Sequence, residues 1–419
     1  MSAVLVCVLP ARGHVGPTKP IVAALLADGH EVTVVTGARY RQAFAELGAR
    51  VNVLPPEADF DETDLDGSIP GRAGKRGLKL ARFELANFVR AMPAQLSVMD
   101  LDVDVVLCDP LFMAGLALAV RKQRPRLLAL GFLPFMPPVP SGPPPETPAE
   151  RLRGALVGTL APWLLGPAQR LARELLGTDP GMLFADWTLH SDGVLQMTCP
   201  GFEFPRAGAP LHFIGPTTVS GTGEHPLPPW WDELDGSRPV VHVTQGTVAN
   251  DDLGRLVEPA IEALAGEDVL VVATTCGGRL RPGALPDNVR VADFLPYDEL
   301  LPRCAAMISN GGYGGVNHAL RYGVPLVVVG ASEDKREVAT RVTWSGAGIG
   351  RTRASASPRQ LRRDVLAVLA EPRYRERARE LAAEMAAGPS MAEVVELITT
   401  GTATPARPAV PPEGGRPRP

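Results

Sequence analysis

The sequence predicts an α/β protein made of two similar, doubly wound domains, and three observations carry that reading. Short apolar runs rich in valine alternate with stretches of helical spacing, the pattern left by parallel strands that are buried on both faces. The alternation runs through the first half, stops at a segment rich in Gly, Pro and Thr, and then begins again. A chain of 419 residues also exceeds the roughly 250 to 300 that one hydrophobic core usually organises.

The elements follow in order. "AVLVCVLP" opens as a strand, "GPTKPIVAALLADGH" continues as a helix stopped at Gly29, and "EVTVVTG" is the next strand. "RVNVLP", "VDVVLCD", "RLLALGF" and "GVLQMT" are further strands, separated by helical stretches such as "PLFMAGLALAVRK". Two insertions, from Asp59 to Leu101 and from Phe132 to about Leu189, mix short helical runs with the irregular, proline-rich "FLPFMPPVPSGPPPETP". The second half supplies "RPVVHVTQGT", "DVLVVATT", "NVRVADF", "AAMISNGG", "VPLVVVG" and "AGIG" as strands. The boundaries that result are a first domain over 1–215, a linker over 216–237 and a second domain over 238–400, whose last helix is free to pack back on the first. Residues 401–419, ending "TATPARPAVPPEGGRPRP", have almost nothing to bury and are expected to be disordered. Two such domains joined by one linker imply a cleft between them.

Composition narrows the function. With 45% apolar and 21% charged residues the chain reads as an ordinary soluble protein. A net charge of −4 shows none of the basic excess that nucleic acid binding requires. Five scattered cysteines without a C-x-x-C pair read as buried thiols in a reducing compartment. No apolar run is long enough for a membrane span and no basic stretch precedes the first one, so the expected location is the cytoplasm. A homodimer is left open. Metal sites are not expected. Asp100, Asp102 and Asp104 stand before a strand, at the sheet edge away from ligand sites, and a calcium loop starting at Glu62 would put its bidentate acid on Ala73.

Ligands of open α/β sheets sit beyond the carboxyl ends of the strands, and His14 follows the first strand there. Only Gly13 and Gly16 surround it, so no G-x-G-x-x-G dinucleotide loop is present. A histidine at that turn suits a general base, and Asp109 at the end of "VDVVLCD" is positioned to orient it. The residues alone equally allow His14 to close a helix and Asp109 to be an N-cap. No nucleophile motif accompanies them, which favours direct displacement. In the second half, Asn310, Gly311, Gly312, Gly314 and Gly315 lie between a buried strand and a helix, where backbone N–H groups and the helix dipole suit a diphosphate. Gly246 and Thr247 of "VTQGT" end the first strand of that domain on the same edge.

Taken together, "GHVGP", the "CDP" aspartate, "VTQGT", "ADFLPYDELLPRC", "SNGGYGGVNHALRYGVPLVVVGASEDK" and "WSGAGIG" resemble the GT-B, UDP-glycosyltransferase-like family, and most closely its bacterial natural-product and macrolide branch. The resemblance spans residues 1 to 395 and implies two Rossmann-like domains facing each other across a cleft. It implies an inverting, metal-independent glycosyltransferase that moves a sugar from a UDP- or TDP-sugar to a hydroxyl of a small apolar polyketide, macrolide or phenol. His14 would be the base and Asp109 its partner. Thr244, Gln245, Gly246, Thr247, Phe294, Leu295, Asn310, Gly311, Gly312, Gly314, Gly315, Val316, Asp334 and Lys335 would hold the donor. Phe294 replaces a usual tryptophan, Tyr297 and Lys335 replace glutamines, and Asn310 replaces a phosphate-binding histidine. Phe83, Phe88, Phe112, Phe132, Phe135 and Met136 are candidates to line an acceptor pocket. The donor is a co-substrate, and no cofactor or metal is implied.

Two other functions suit the same fold less well. A nucleotide-sugar epimerase on the same fold would not need the two long insertions. A non-catalytic activator of a partner transferase would be expected to lose His14 or the 310–315 loop, and the chain retains both.

Overall fold

The computed structural model describes residues 1–135, 148–205, 208–218, 226–246, 252–331 and 334–401, with the backbone alone for 148–160. Met136, Thr247 and the tail beyond Gly401 therefore lie outside the described residues. Both predicted sheets are present. The first is wholly parallel, in the order β3-β2-β1-β4-β5-β6-β7. Its strands are β1 Ala3–Cys7, β2 Glu31–Thr36, β3 Arg50–Val53, β4 Val105–Cys108, β5 Arg126–Gly131, β6 Gly193–Gln196 and β7 Leu211–Phe213. The second, also parallel, runs β10-β9-β8-β11-β12-β13. It comprises β8 Val240–Thr244, β9 Leu270–Thr274, β10 Val289–Ala292, β11 Cys304–Ser309, β12 Leu326–Val329 and β13 Gly348–Arg351.

Every strand read from the sequence is found, because strands covered on both faces are apolar throughout. In β1, Val4 and Val6 belong to one core while Leu5 and Cys7 belong to another, one on each face of the sheet. The second sheet divides its buried side chains between two cores in the same way. Strand β7 was not anticipated. It has only three residues, all half-buried at the sheet edge, and so lacks an apolar run to announce it.

The insertions differ from expectation in one respect. The second contains a single 29-residue helix, Pro148–Leu176, that continues through Pro162 and Pro167 instead of breaking into short runs. Each proline removes one backbone hydrogen bond, and the Ala- and Leu-rich sequence around them keeps the helix going.

The chain divides into two compact units that are not contiguous in sequence. The first contains residues up to Met197, a stretch ending at Thr217, and the chain from Pro389 through the last helix, Met391–Thr400. That helix starts with a capping box of Ser390 and Glu393, and it buries Val394, Val395, Leu397 and Ile398 with Ile21, Val22 and Leu25 of the helix Arg12–Ala27. Burial stabilises by roughly 1.5 to 3 kcal/mol per side chain of this kind. Arg126 adds hydrogen bonds of 2.7 and 2.8 Å to the carbonyls of Leu397 and Ile398.

The second unit includes the short stretch Thr198–Pro205. Phe202 there enters the core, and Glu203, fully buried, accepts from Nε of the equally buried Arg341 at 2.8 Å.

Candidate functional site

Both sheets reverse their strand order at one place, between β1 and β4 in the first and between β8 and β11 in the second. Loops leaving the carboxyl ends of those paired strands diverge to opposite faces and leave a crevice for ligands. His14 follows β1 and Asp109 follows β4, while Gly246 follows β8 and Asn310 follows β11. These four residues thus stand at the switch points of their sheets.

In the first unit His14 is the third residue of the helix Arg12–Ala27, and its Nδ1 lies 2.7 Å from Oδ2 of Asp109. Asp109 is wholly buried, whereas the His14 side chain keeps 15% of its surface exposed. The same Oδ2 accepts the Leu9 N–H at 3.0 Å, and Oδ1 accepts the Leu111 N–H at 2.8 Å. Main-chain donors therefore fix the carboxylate. A carboxylate can only accept, so Nδ1 carries the proton in this bond and Nε2 becomes the basic nitrogen. Phe132 packs on the imidazole with ring centroids 4.6 Å apart. Gly13 and Gly16 have open space where a Cβ would stand, so among the described residues nothing crowds this side of the turn.

The start of this helix is closed by the chain itself. Its N-cap residue, Ala11, has no capping side chain, and its first turn has no acid. Instead Glu62, from the first insertion, accepts the Arg12 N–H at 2.8 Å through Oε2. Its Oε1 accepts the Tyr40 hydroxyl, and burial together with Glu62 pushes the Tyr40 pKa up. A protein carboxylate thus occupies the place where a dinucleotide fold would hold phosphate. From the sequence alone, Glu62 stands out only as the start of a calcium loop that its spacing excludes. The Asp100, Asp102 and Asp104 run is at the opposite edge, where Asp104 accepts the Ala3 N–H at 2.9 Å.

The second unit offers the contrasting helix start. Tyr313–Arg321 begins at Gly312 with no side-chain cap and no acid in its first turn. Around it the backbones are too close for side chains. Gly311 has φ +92°, and a Cβ there would stand 3.0 Å from Val328 and 3.1 Å from the Lys335 carbonyl. Gly330, after β12, would put its Cβ 2.7 Å from the Asn310 carbonyl and from the Lys335 Cβ. Asn310 donates from Nδ2 to the Gln245 carbonyl beside Gly246, whose φ of +77° also requires glycine. Gly246, the 310–312 loop and Lys335, which opens the helix Lys335–Ser345 after Asp334, are thereby brought together.

Other donor candidates are placed differently. Leu295, 7% exposed, and Val316, fully buried, point into the core and offer a ligand only backbone. The Thr244 and Gln245 side chains are buried in the turn itself, receiving the Gly246 N–H and donating to the Asp252 carbonyl. Phe294 is half-buried beyond β10. Tyr297 packs edge-on against His242 and His318, with centroids at 5.3 and 5.6 Å. Its hydroxyl donates to His242 Nε2 at 3.2 Å, since His242 Nδ1–H donates to the Val272 carbonyl at 2.9 Å. Burial lowers the His242 pKa to about 4 and keeps that ring neutral. On the acceptor side, Phe112 is completely buried in the core, Phe135 nearly so, and Phe83 and Phe88 are half-buried on the helix Gly77–Arg90. Phe132 of this set packs against the base.

Comparison with known proteins gives a consistent picture. Residues 259–400 match the family described as erythromycin biosynthesis protein CIII-like, C-terminal domain. Over 418 residues the chain is 39% identical to 4'-demethylrebeccamycin synthase of Lentzea aerocolonigenes, covering 95% of this chain and 99% of that one. The crystal structure of the kitacinnamycin glycosyltransferase shares the fold with a TM-score of 0.71 at 24% identity, over 95% and 98% of the two chains. So does the Streptomyces sp. SF2575 glycosyltransferase SsfS6 complexed with thymidine diphosphate, with a TM-score of 0.63 at 22% identity, over 95% and 99%.

Proposed function

The chain belongs to the natural-product branch of the GT-B, UDP-glycosyltransferase-like family, and we propose that it is an inverting transferase with His14 as its general base. Its donor is a UDP- or TDP-sugar, and its acceptor is the hydroxyl of a small apolar aromatic or macrocyclic natural product. The observation that carries this reading is the His14–Asp109 bond of 2.7 Å at the switch point of the first sheet.

Nε2 takes the acceptor's proton as the oxygen attacks the anomeric carbon. The bond from that carbon to the diphosphate breaks, and its electron pair leaves on the diphosphate oxygen. A single displacement inverts the anomeric centre. Asp109 holds the reactive tautomer and stabilises the imidazolium that forms. The start of Tyr313–Arg321, whose first turn carries no acid, accommodates the charge that grows on the leaving diphosphate. Phe132 supplies an apolar wall beside the base, which suits an apolar acceptor.

Incubation with UDP- and TDP-sugars against polycyclic phenols and macrolides, followed by mass spectrometry, tests the activity. The anomeric coupling constant of the product tests inversion. His14→Ala is expected to lose about 10² to 10⁴-fold in turnover. Near-normal turnover by a folded variant would remove His14 from the mechanism.

A further inference from the structure

A histidine in the first turn of a helix is a poor place to build positive charge, because the helix end itself carries about half a positive charge. This site nevertheless puts a base there, at the third residue of Arg12–Ala27. Asp109 meets the ring from the end of β4. We propose that Glu62 is a second positioning carboxylate, which caps the helix start and offsets its positive end so that His14 stays basic enough to take the acceptor's proton. The functional half of this inference rests on the base assignment above.

Three features carry it. The cap is remote, 50 residues along the chain, and the helix has none of its own. Both Glu62 oxygens are engaged, one on the Arg12 N–H and one on the Tyr40 hydroxyl, so the charge is held at the first N–H of the helix. And the Tyr313–Arg321 helix of the second unit, where a diphosphate is proposed to bind, has neither a capping side chain at its N-cap nor an acid in its first turn. The groups set around the His14 turn include Asp109, Glu62, Arg12 on the same helix, Tyr40 and the neutral ring of Phe132. Arg39, paired with Asp61, lies beside Tyr40.

Glu62→Gln separates charge from structure. The amide oxygen still accepts the Arg12 N–H, and its NH₂ can donate to the Tyr40 oxygen, so the cap persists without its charge. Histidine labelled at Cε1 allows the His14 titration to be followed by NMR in the full chain. The His14 midpoint is expected to fall by about 0.2 to 0.7 pH units in Glu62→Gln. The acid limb of kcat/KM should move to lower pH by the same amount, because the neutral ring is the active form. Glu62→Ala, which removes the cap as well, should show at least that shift. An unmoved His14 midpoint in Glu62→Gln overturns the inference, whatever the activity. A shifted midpoint with a fixed acid limb, together with near-normal turnover by His14→Ala, overturns instead the base assignment on which it rests.

Discussion

Replacing Asp186 by asparagine should stabilise the first unit by an amount that depends on pH. Asp186 lies in the 3-10 turn Phe184–His190 and is only 9% exposed. No hydrogen bond or ion pair meets its carboxylate among the described residues, and burial alone pushes its pKa up to about 6 from 3.8. A raised carboxyl pKa means that the folded unit holds a proton which the unfolded chain has already released. Folding is therefore penalised as pH rises above the unfolded value, and the penalty is complete above the folded one. Integrating between those two values gives a cost below about 1 kcal/mol at pH 4, rising to about 2 at pH 5 and about 3 at pH 7. Asparagine never ionises, so Asp186→Asn should exceed the wild type by that rising margin. Hydrogen exchange at the amides of β5 and β6 reads the opening free energy of this unit separately from the other. A margin that stays equal at pH 4, 5 and 7 would refute the reasoning.

Three further outcomes follow from the geometry. Asp109→Asn should lower kcat by about 10³ to 10⁴-fold by releasing the wrong tautomer, with donor KM little changed in steady-state kinetics; a loss confined to KM would count against an orienting role. Gly311→Ala forces a side chain to φ +92° against Val328 and the Lys335 carbonyl, and should weaken UDP or TDP binding by about 5- to 30-fold in calorimetry. Unchanged affinity would move the diphosphate elsewhere. Arg341→Met deprives the buried Glu203 of its principal counter-charge and should cost the second unit about 3 to 5 kcal/mol in urea unfolding. Pairing it with Glu203→Leu should recover much of that loss, and equal costs for the single and double variants would argue against the ion pair.

The legible part of the sequence is the part whose signal is local. Strands β1 and β4 are apolar runs with chemistry at their carboxyl ends, so His14 and Asp109 could be matched across 95 residues before any contact was known. Glycine clustering likewise marked the 310–312 turn and the helix start after it, where Gly311 has a positive φ and no room for a Cβ. Glu62 was legible only as a residue type. Its role depends on the first insertion folding back over the start of a distant helix, and nothing in the spacing of an irregular segment encodes that return. Phe112, Leu295 and Val316 show the opposite failure, since apolar side chains beside a motif serve core and pocket equally well, and the choice lies in three dimensions. The excursion of Thr198–Pro205 into the second unit leaves no compositional trace either; its anchors, Phe202 and Glu203, look like any loop residues.

The return of the last helix to the first unit also sets an order of assembly. As the chain leaves the ribosome, the second unit has all of its sheet once β13 has emerged, whereas the first still awaits the residues after Pro389 to cover Ile21, Val22 and Leu25. The unit begun earliest is thus finished last. The same threading constrains engineering. A chimera made by cutting at the 216–237 segment would leave each parent's closing helix attached to the wrong partner, so an exchange of halves must carry Met391–Thr400 together with the residues before Met197.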